Sequence, residues 1–309
     1  MTPHKIIFIV GPTAVGKSDA AHVLARQIQG EIVSCDSMQV YREINIITNK
    51  PSLKARREVP HHLVDIISVR EEFDVARFNT LALAAIEAVH AKGAVPIVVG
   101  GSGMYMQILL DGIFEGGAKD ELLREELKAQ AQTYGSGFLY GKLKIADPEA
   151  AAGIHPNDLR RIIRALEVCH AGEGPISKRR QDRSGLWGRY DITAVALRMD
   201  REALYDRINR RVEAMFQQGV VAEIRKLAGV PLSLTAGRII GVREIQGYCE
   251  GAYDEARAKE LMKLNTRRFA KRQMTWFLKE KRLNWITVKK DDTVEDVVRE
   301  IQRLLAGGR

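Results

Sequence analysis

The run Gly11-Pro12-Thr13-Ala14-Val15-Gly16-Lys17-Ser18 has the residue types and spacing of a loop that holds a di- or triphosphate. Gly11 and Gly16 let backbone N–H groups curl around an anion, Lys17 neutralises charge, and the Ser18 hydroxyl can ligate Mg²⁺. This motif specifies a ligand and not a reaction. Phosphoryl transfer from a nucleotide such as ATP and departure of a pyrophosphate both suit it. Further on, Asp36-Ser37-Met38-Gln39-Val40-Tyr41 offers a carboxylate for metal ligation or general-base work. An Asp-Ser pair after a strand also serves as a helix cap. Gly100-Gly101-Ser102-Gly103 brings bare backbone and one hydroxyl together, a weak sign alone because glycines also make tight turns.

Such residues act together only if regular elements bring them to one edge. Lys5–Val10 is a short, β-branched apolar run, and the phosphate motif after it opens a helical pattern through Ala20, Ala21, Val23, Leu24 and Ile28. Residues 31–35 form a second strand ending at Asp36, and residues 94–99 a third ending at the glycine turn. The helix before that third strand has apolar positions at Phe78, Leu81, Ile86 and Val89. This β-α-β alternation predicts an α/β fold: a P-loop NTPase-like parallel sheet flanked by helices, with ligands at the strands' carboxyl ends. Between Asp111 and about Trp187 helical patterns replace the alternation, over 122–131, from a capped start at Asp147-Pro148-Glu149, and over 158–170. The predicted organisation is a core over 1–114 and 188–309, with basic C-terminal helices, interrupted by a helical insertion domain over 115–187. Residues 175–188, with Lys178, Arg179, Arg180 and Arg183, are expected to form a mobile basic loop. Strand signal resumes over 192–197, followed by helices over 201–216 and 265–281, and a last strand and helix over 285–288 and 294–305 without a zinc-finger extension. His61 and His62 precede a strand-like run, Leu63-Val64-Asp65-Ile66. Adjacent side chains on an extended segment face opposite ways, which favours structural hydrogen bonding over a shared metal.

Charge points to the partner class. The 309 residues carry a net +9, yet residues 1–150 hold 16 basic and 18 acidic side chains, and the remainder 32 and 21. The second half therefore carries the whole excess, and nucleic acid is the commonest anionic partner of such a surface; a solvated lysine-rich surface is the alternative. In the 265–281 helix, Arg267, Arg268, Lys271 and Arg272 interleave with Phe269, Trp276 and Phe277, a pattern for a phosphate-tracking cleft or for an amphipathic helix with core aromatics. Cys35, Cys169 and Cys249 are odd in number and far apart, which excludes a disulfide framework or a zinc ribbon and predicts small apolar fillers. No apolar run reaches the roughly 20 residues of a membrane-spanning helix, and the first apolar stretch is too short for a signal peptide. A cytoplasmic monomer without membrane contact is expected.

The ordered set GPTAVGKS (11–18), SCDSMQVY (34–41), HHLVDI (61–66), GGSGMY (100–105), HPNDLRRIIRALEV (155–168), Ile240-Gly241-Val242-Arg243-Glu244 and TRRFAKRQMTWF (266–277) resembles the tRNA dimethylallyltransferases, or bacterial-type tRNA isopentenyltransferases. The resemblance covers nearly the whole chain. It implies transfer of a dimethylallyl group from dimethylallyl diphosphate to N6 of adenosine 37, beside the tRNA anticodon, with Mg²⁺ and release of diphosphate. Asp36, Thr13 and Lys17 would then be catalytic, with Asp36 the base. Gly11, Pro12, Thr13, Ala14, Val15, Gly16, Lys17, Ser18 and Arg243 would hold the diphosphate, with Ser18 on the metal. The anticodon stem-loop would meet Asp36, Ser37, Met38, Gln39, Ser102, Arg160, Arg161, Ile162, Ile163, Arg164, Arg267 and Arg268. Four departures stand out: Arg160-Arg161 for the usual Gln-Arg, Ser102 for Thr, Val242 for an aromatic, and Ile47-Thr48-Asn49-Lys50-Pro51 for Gly-Thr-Ala-Lys-Pro. Two other readings of the residues are a P-loop small-molecule kinase, which leaves the basic half unexplained, and a non-catalytic RNA-binding NTPase switch, which leaves Asp36 unexplained.

Overall fold

The computed structural model describes residues 4–113, 120–171, 174–179 and 184–307. Strands β1 (Lys5–Val10), β2 (Gly30–Ser34), β3 (His61–His62), β4 (Val95–Gly100), β5 (Asp191–Met199) and β6 (Asn284–Val288) form one sheet in the order β3-β2-β4-β1-β5-β6. Every pairing is parallel. A parallel sheet buries both faces, and β1 shows how its sequence allows that. Ile6, Phe8 and Val10 enter one core with Phe78, Ile86 and Phe277, while Ile7 and Ile9 enter the other with Leu24, Leu204 and Ile301. Register aligns the strand ends: Val10 lies opposite Gly100, and Ser34 opposite Val99. The loops after β1, β2 and β4 therefore leave the same edge.

The chain divides into two compact units, Met1–Leu110 with Leu186–Arg309, and Asp111–Gly185. The described residues of the second unit contain the helices Glu121–Tyr134, Ser136–Ala146, Pro148–Ala152, Leu159–His170 and Ile176–Arg179. Asp120, Asp147 and Asp158 cap three of them by accepting N–H groups that helix starts leave unpaired. Leu127, Leu139, Leu143, Ile162 and Leu166 form this unit's own core. Buried Asp147 also accepts from the Ser177 N–H and hydroxyl at 2.9 and 2.7 Å, fixing the last short helix.

Several sequence expectations need correction. Leu63-Val64-Asp65-Ile66 is not a strand: Leu63 and Asp65 hold φ of 61° and 59°, and the chain bends after His62. The Asp65 carboxylate draws the bend inward, bonded to the Lys50 ammonium and the Arg56 guanidinium. Part of the expected 175–188 loop is the Ile176–Arg179 helix, and Arg180 and Arg183 lie outside the described residues. The basic helix begins earlier than 265, at Glu255, where Asp254 caps it. Leu81 is exposed whereas Phe78, Ile86 and Val89 are buried, because its position falls off the apolar stripe. Cys35 is buried, but Cys249 is exposed and fills no core space.

Candidate active site

The phosphate loop turns sharply at Gly11, whose φ is +143°; a Cβ there would lie 2.4 Å from the Leu197 carbonyl oxygen on β5. Only glycine lets the backbone pass so close. Ala14 takes φ of 67°, a left-handed setting of the kind found in anion-binding backbone turns. Lys17 and Ser18 open the Lys17–Ile28 helix, whose positive end faces the loop. The Lys17 ammonium donates to the Pro12 carbonyl at 2.7 Å. Burial pushes its pKa down to about 7; Asp36 works against that shift and Arg211 adds to it.

Asp36 stands just past β2, and its Oδ1 accepts the Met38 N–H at 2.8 Å in a tight local turn. Across from it, the helix Arg201–Gln217 supplies Arg211, whose Nη1 donates to the Thr13 hydroxyl at 3.1 Å. Burial lowers the Arg211 pKa while Asp36 supports its charge, and a guanidinium stays protonated regardless. The helix Glu255–Phe277 supplies Gln273, bonded by its side chain to Thr13 and Gly101.

Two cavities open here. One, of about 790 Å³, is lined by Thr13, Ala14 and the run from Gly16 to Asp19 together with Gln39, Arg207, Arg211 and residues 48–52. The other, of about 420 Å³, is largely apolar, with Met38, Ile47, Met104, Met215, Ile239, Met262 and Trp276 in its walls. Both are lined by Thr13, Asp36, Thr48, Gly101, Arg211, Phe269 and Gln273. At this junction a carboxylate, a guanidinium and a hydroxyl stand between a cationic phosphate cradle and a hydrocarbon-lined space. The arrangement suits a group with an anionic head and an apolar body that leaves its head when a nucleophile loses a proton.

The other predicted residues fall in distinct places. Ser37, Met38 and Ser102 line the smaller cavity. Gln39 lines the larger one, but its amide is largely occupied: Oε1 accepts from Ser34 Oγ at 3.0 Å, and Nε2 donates to the Asn49 carbonyl at 3.3 Å. Gly11, Pro12 and Val15 are buried behind the loop and line neither cavity, so the first two act through backbone shape and Val15 through packing. Arg243 is exposed, three residues beyond the cavity wall at Ile240. Arg267 donates to Asn209 at 3.2 Å and lies over the Tyr205 ring, and Arg268 is exposed. In the second unit, Arg160 and Arg161 are exposed, Arg164 lies 3.6 Å from Glu167, and Ile162 and Ile163 are only 0% and 7% exposed. The two isoleucines belong to that unit's core and hold the helix, a correction to their expected RNA contact. His62 pairs with Glu31 at 2.6 Å, and His61 meets the Val59 carbonyl at 2.7 Å. Sequence reasoning misses Arg207, Arg211 and Gln273, although each lies in a helix dense in basic residues. Their only signals are the i, i+4 spacing of Arg207 and Arg211, and one amide among the cations of 266–277.

Residues 39–281 match the family model described as IPP transferase. The chain belongs to the IPP transferase family. Among the family's curated members, the "tRNA dimethylallyltransferase" of Alkaliphilus oremlandii is 42% identical over 95% of this chain and 94% of its own length. "tRNA dimethylallyltransferase 2" of Geotalea uraniireducens is 46% identical over 91% and 92%. Among solved structures, the tRNA isopentenylpyrophosphate transferase of Bacillus halodurans matches with a TM-score of 0.73 and 38% identity, covering 98% of this chain and 96% of that one. A eukaryotic dimethylallyltransferase, described as acting on tRNA, matches with a TM-score of 0.83 and 29% identity over 98% and 78%. The IPP transferase match begins at Gln39, so Lys17 and Asp36 precede it and stand here on their own geometry.

Proposed function

We propose that this protein is a tRNA prenyltransferase that moves a dimethylallyl group from dimethylallyl diphosphate to N6 of adenosine 37 of tRNA and releases diphosphate. The observation that carries the proposal is Asp36 on the wall common to both cavities, with the phosphate loop on one side and apolar side chains on the other. Names of relatives matched over nearly their full lengths supply the acceptor class. The adenine amine is a poor nucleophile because its lone pair is delocalised, so its proton must leave as the bond to carbon forms. Asp36 accepts that proton from N6. The allylic carbon–oxygen bond breaks, its electrons go to diphosphate, and the growing charge meets the loop N–H groups, Lys17 and Arg211. The apolar cavity walls exclude water that would otherwise take the prenyl group.

Mg²⁺ fits the donor chemistry. Ser18, Asp19 and Asp36 line one cavity with hard oxygens, the donor type that Mg²⁺ takes. Ser18 would hold it, and when bound it would neutralise charge on the leaving group. For the RNA, exposed Arg268, Lys271 and Arg272 and, in the second unit, Arg160 and Arg161 offer phosphate contacts. No helix among the described residues is long and apolar enough to cross a membrane. The proposal has the enzyme act in the cytoplasm as a monomer, since one chain supplies both cavities.

The decisive assay combines the protein, unmodified tRNA bearing adenosine 37, Mg²⁺ and labelled dimethylallyl diphosphate. Label should enter the tRNA; steady ATP consumption without labelling would sink the proposal in favour of a kinase. Asp36→Asn should slow transfer by about 10²- to 10⁴-fold while diphosphate and tRNA still bind. Near-normal turnover would remove Asp36 as the base.

A further inference from the structure

Gln273 is a neutral side chain at the cavity junction, and the chemistry above gives it no part. It is 7% exposed, and its amide is used at both ends by main chain. Oε1 accepts the Thr13 N–H at 2.8 Å, and Nε2 donates to the Gly101 carbonyl at 2.9 Å. One planar group thus joins the phosphate loop after β1 to the glycine turn after β4. The space has no slack, because a Cβ on Gly101 would lie 2.2 Å from Gln273 Nε2.

The bond to Thr13 has a particular effect. In a phosphate cradle each inward N–H is an anion ligand. The Thr13 N–H is already held by Gln273, while the Thr13 hydroxyl accepts from Arg211 at 3.1 Å. The Thr13 N–H is thereby engaged by Gln273 and its hydroxyl by Arg211, while Lys17 and Ser18 line the same cavity. Among the other charged groups lining the cavities, Asp36 and Arg207 lie on neighbouring elements and Arg272 on the helix of Gln273 itself.

We infer that Gln273 is a positioning residue for group transfer: its bridge from Thr13 to Gly101 sets the Thr13 hydroxyl and the Arg211 guanidinium at the reacting centre, and it adds little to ground-state binding of the donor, on which the charge that Arg211 meets has not yet grown. This rests on the prenyl-transfer proposal above. A bridge that merely stabilised the loop would, when cut, weaken diphosphate binding and transfer together. A positioning bridge separates them.

The test is a double-mutant cycle on the full chain with Gln273→Ala, Gly101→Ala and the pair. Each is measured for single-turnover transfer at saturating donor and tRNA, and for the Kd of dimethylallyl diphosphate in the absence of tRNA. Gly101→Ala acts through the same bridge, since its methyl displaces the amide. Each single change should slow transfer by about 10- to 100-fold, the scale of small misplacements at a reacting centre, with the Kd of dimethylallyl diphosphate within about threefold of wild type. The pair should be no slower than the slower single variant, because both cut one link. Unchanged transfer, parallel loss of affinity for dimethylallyl diphosphate, or multiplicative effects in the pair would each overturn the inference. If Gln273→Ala does not fold, Gln273→Met keeps most of the volume, removes both bonds and is held to the same split. Wild-type protein that binds dimethylallyl diphosphate yet labels no tRNA would instead reject the prenyl-transfer proposal, and this inference with it.

Discussion

Lys17 couples ligand binding to protons. Burial holds its pKa at about 7, and an anion in the loop favours the charged ammonium, so the bound form has the higher value. The Lys17 contribution to donor affinity is then fully present below about pH 7 and falls as the pH rises from there toward the bound value. Near pH 8 the last ionisation of a phosphate, with a pKa of about 6, is complete. Calorimetry of dimethylallyl diphosphate there, in buffers of different ionisation enthalpy, should show uptake of up to about one proton, and Lys17→Met should abolish it. No uptake by wild type would mean that the lysine is charged before the donor arrives. At this scale the sequence is most legible where chemistry depends on neighbours in the chain, as in Gly11 to Ser18. It is least legible at Arg211 and Gln273, whose partner Thr13 lies 198 and 260 residues away. Nothing in local spacing distinguishes them from other polar residues of basic helices.

Among the elements, the loop after β2 bears most directly on the site, because it carries Asp36 at one end and lines the cavities with Ile47, Thr48 and Asn49. It has almost no regular structure and is held from outside. Glu223, on the short helix Val220–Arg225, accepts the N–H groups of Asn45, Ile46 and Ile47 at 2.6, 2.9 and 3.0 Å. Lys50, with a side chain only 2% exposed, bonds to the Tyr41 carbonyl and the Asp65 carboxylate and to Asn45 Oδ1 at 3.1 Å. Burial alone would raise the Asp65 pKa, but Lys50 and Arg56 hold it below the usual carboxylate range. Removing Glu223 as Glu223→Ala leaves three N–H groups without their acceptor and should cost about 1–3 kcal/mol, read as a lower urea midpoint with unchanged slope. An unchanged midpoint would show that water replaces the carboxylate at no cost. Ile47, where glycine is customary in the resembled family, is 5% exposed and packs against Gly241, so its bulk is accommodated inside the wall.

For the molecule as a whole, the uneven charge is the property with a measurable consequence. Replacing Arg267 and Arg268 by glutamate should weaken tRNA binding across all sequences and lower the slope of log K against log salt by about 0.7–0.9 for each phosphate that is no longer neutralised. Filter binding over a salt series reads this directly, and an unchanged slope would remove both residues from the RNA path. The sequence alone determined the parallel sheet, the phosphate loop, a helical segment within the core and the surplus of cations, because alternation, glycine spacing and net charge are properties of the chain read in order. Tertiary structure alone decided which polar groups meet at the junction of the two cavities, which arginine reaches Thr13, and that Ile162 and Ile163 pack inward. Those outcomes depend on strand register and on which face of a helix is buried, and both are set by packing between residues far apart in the chain.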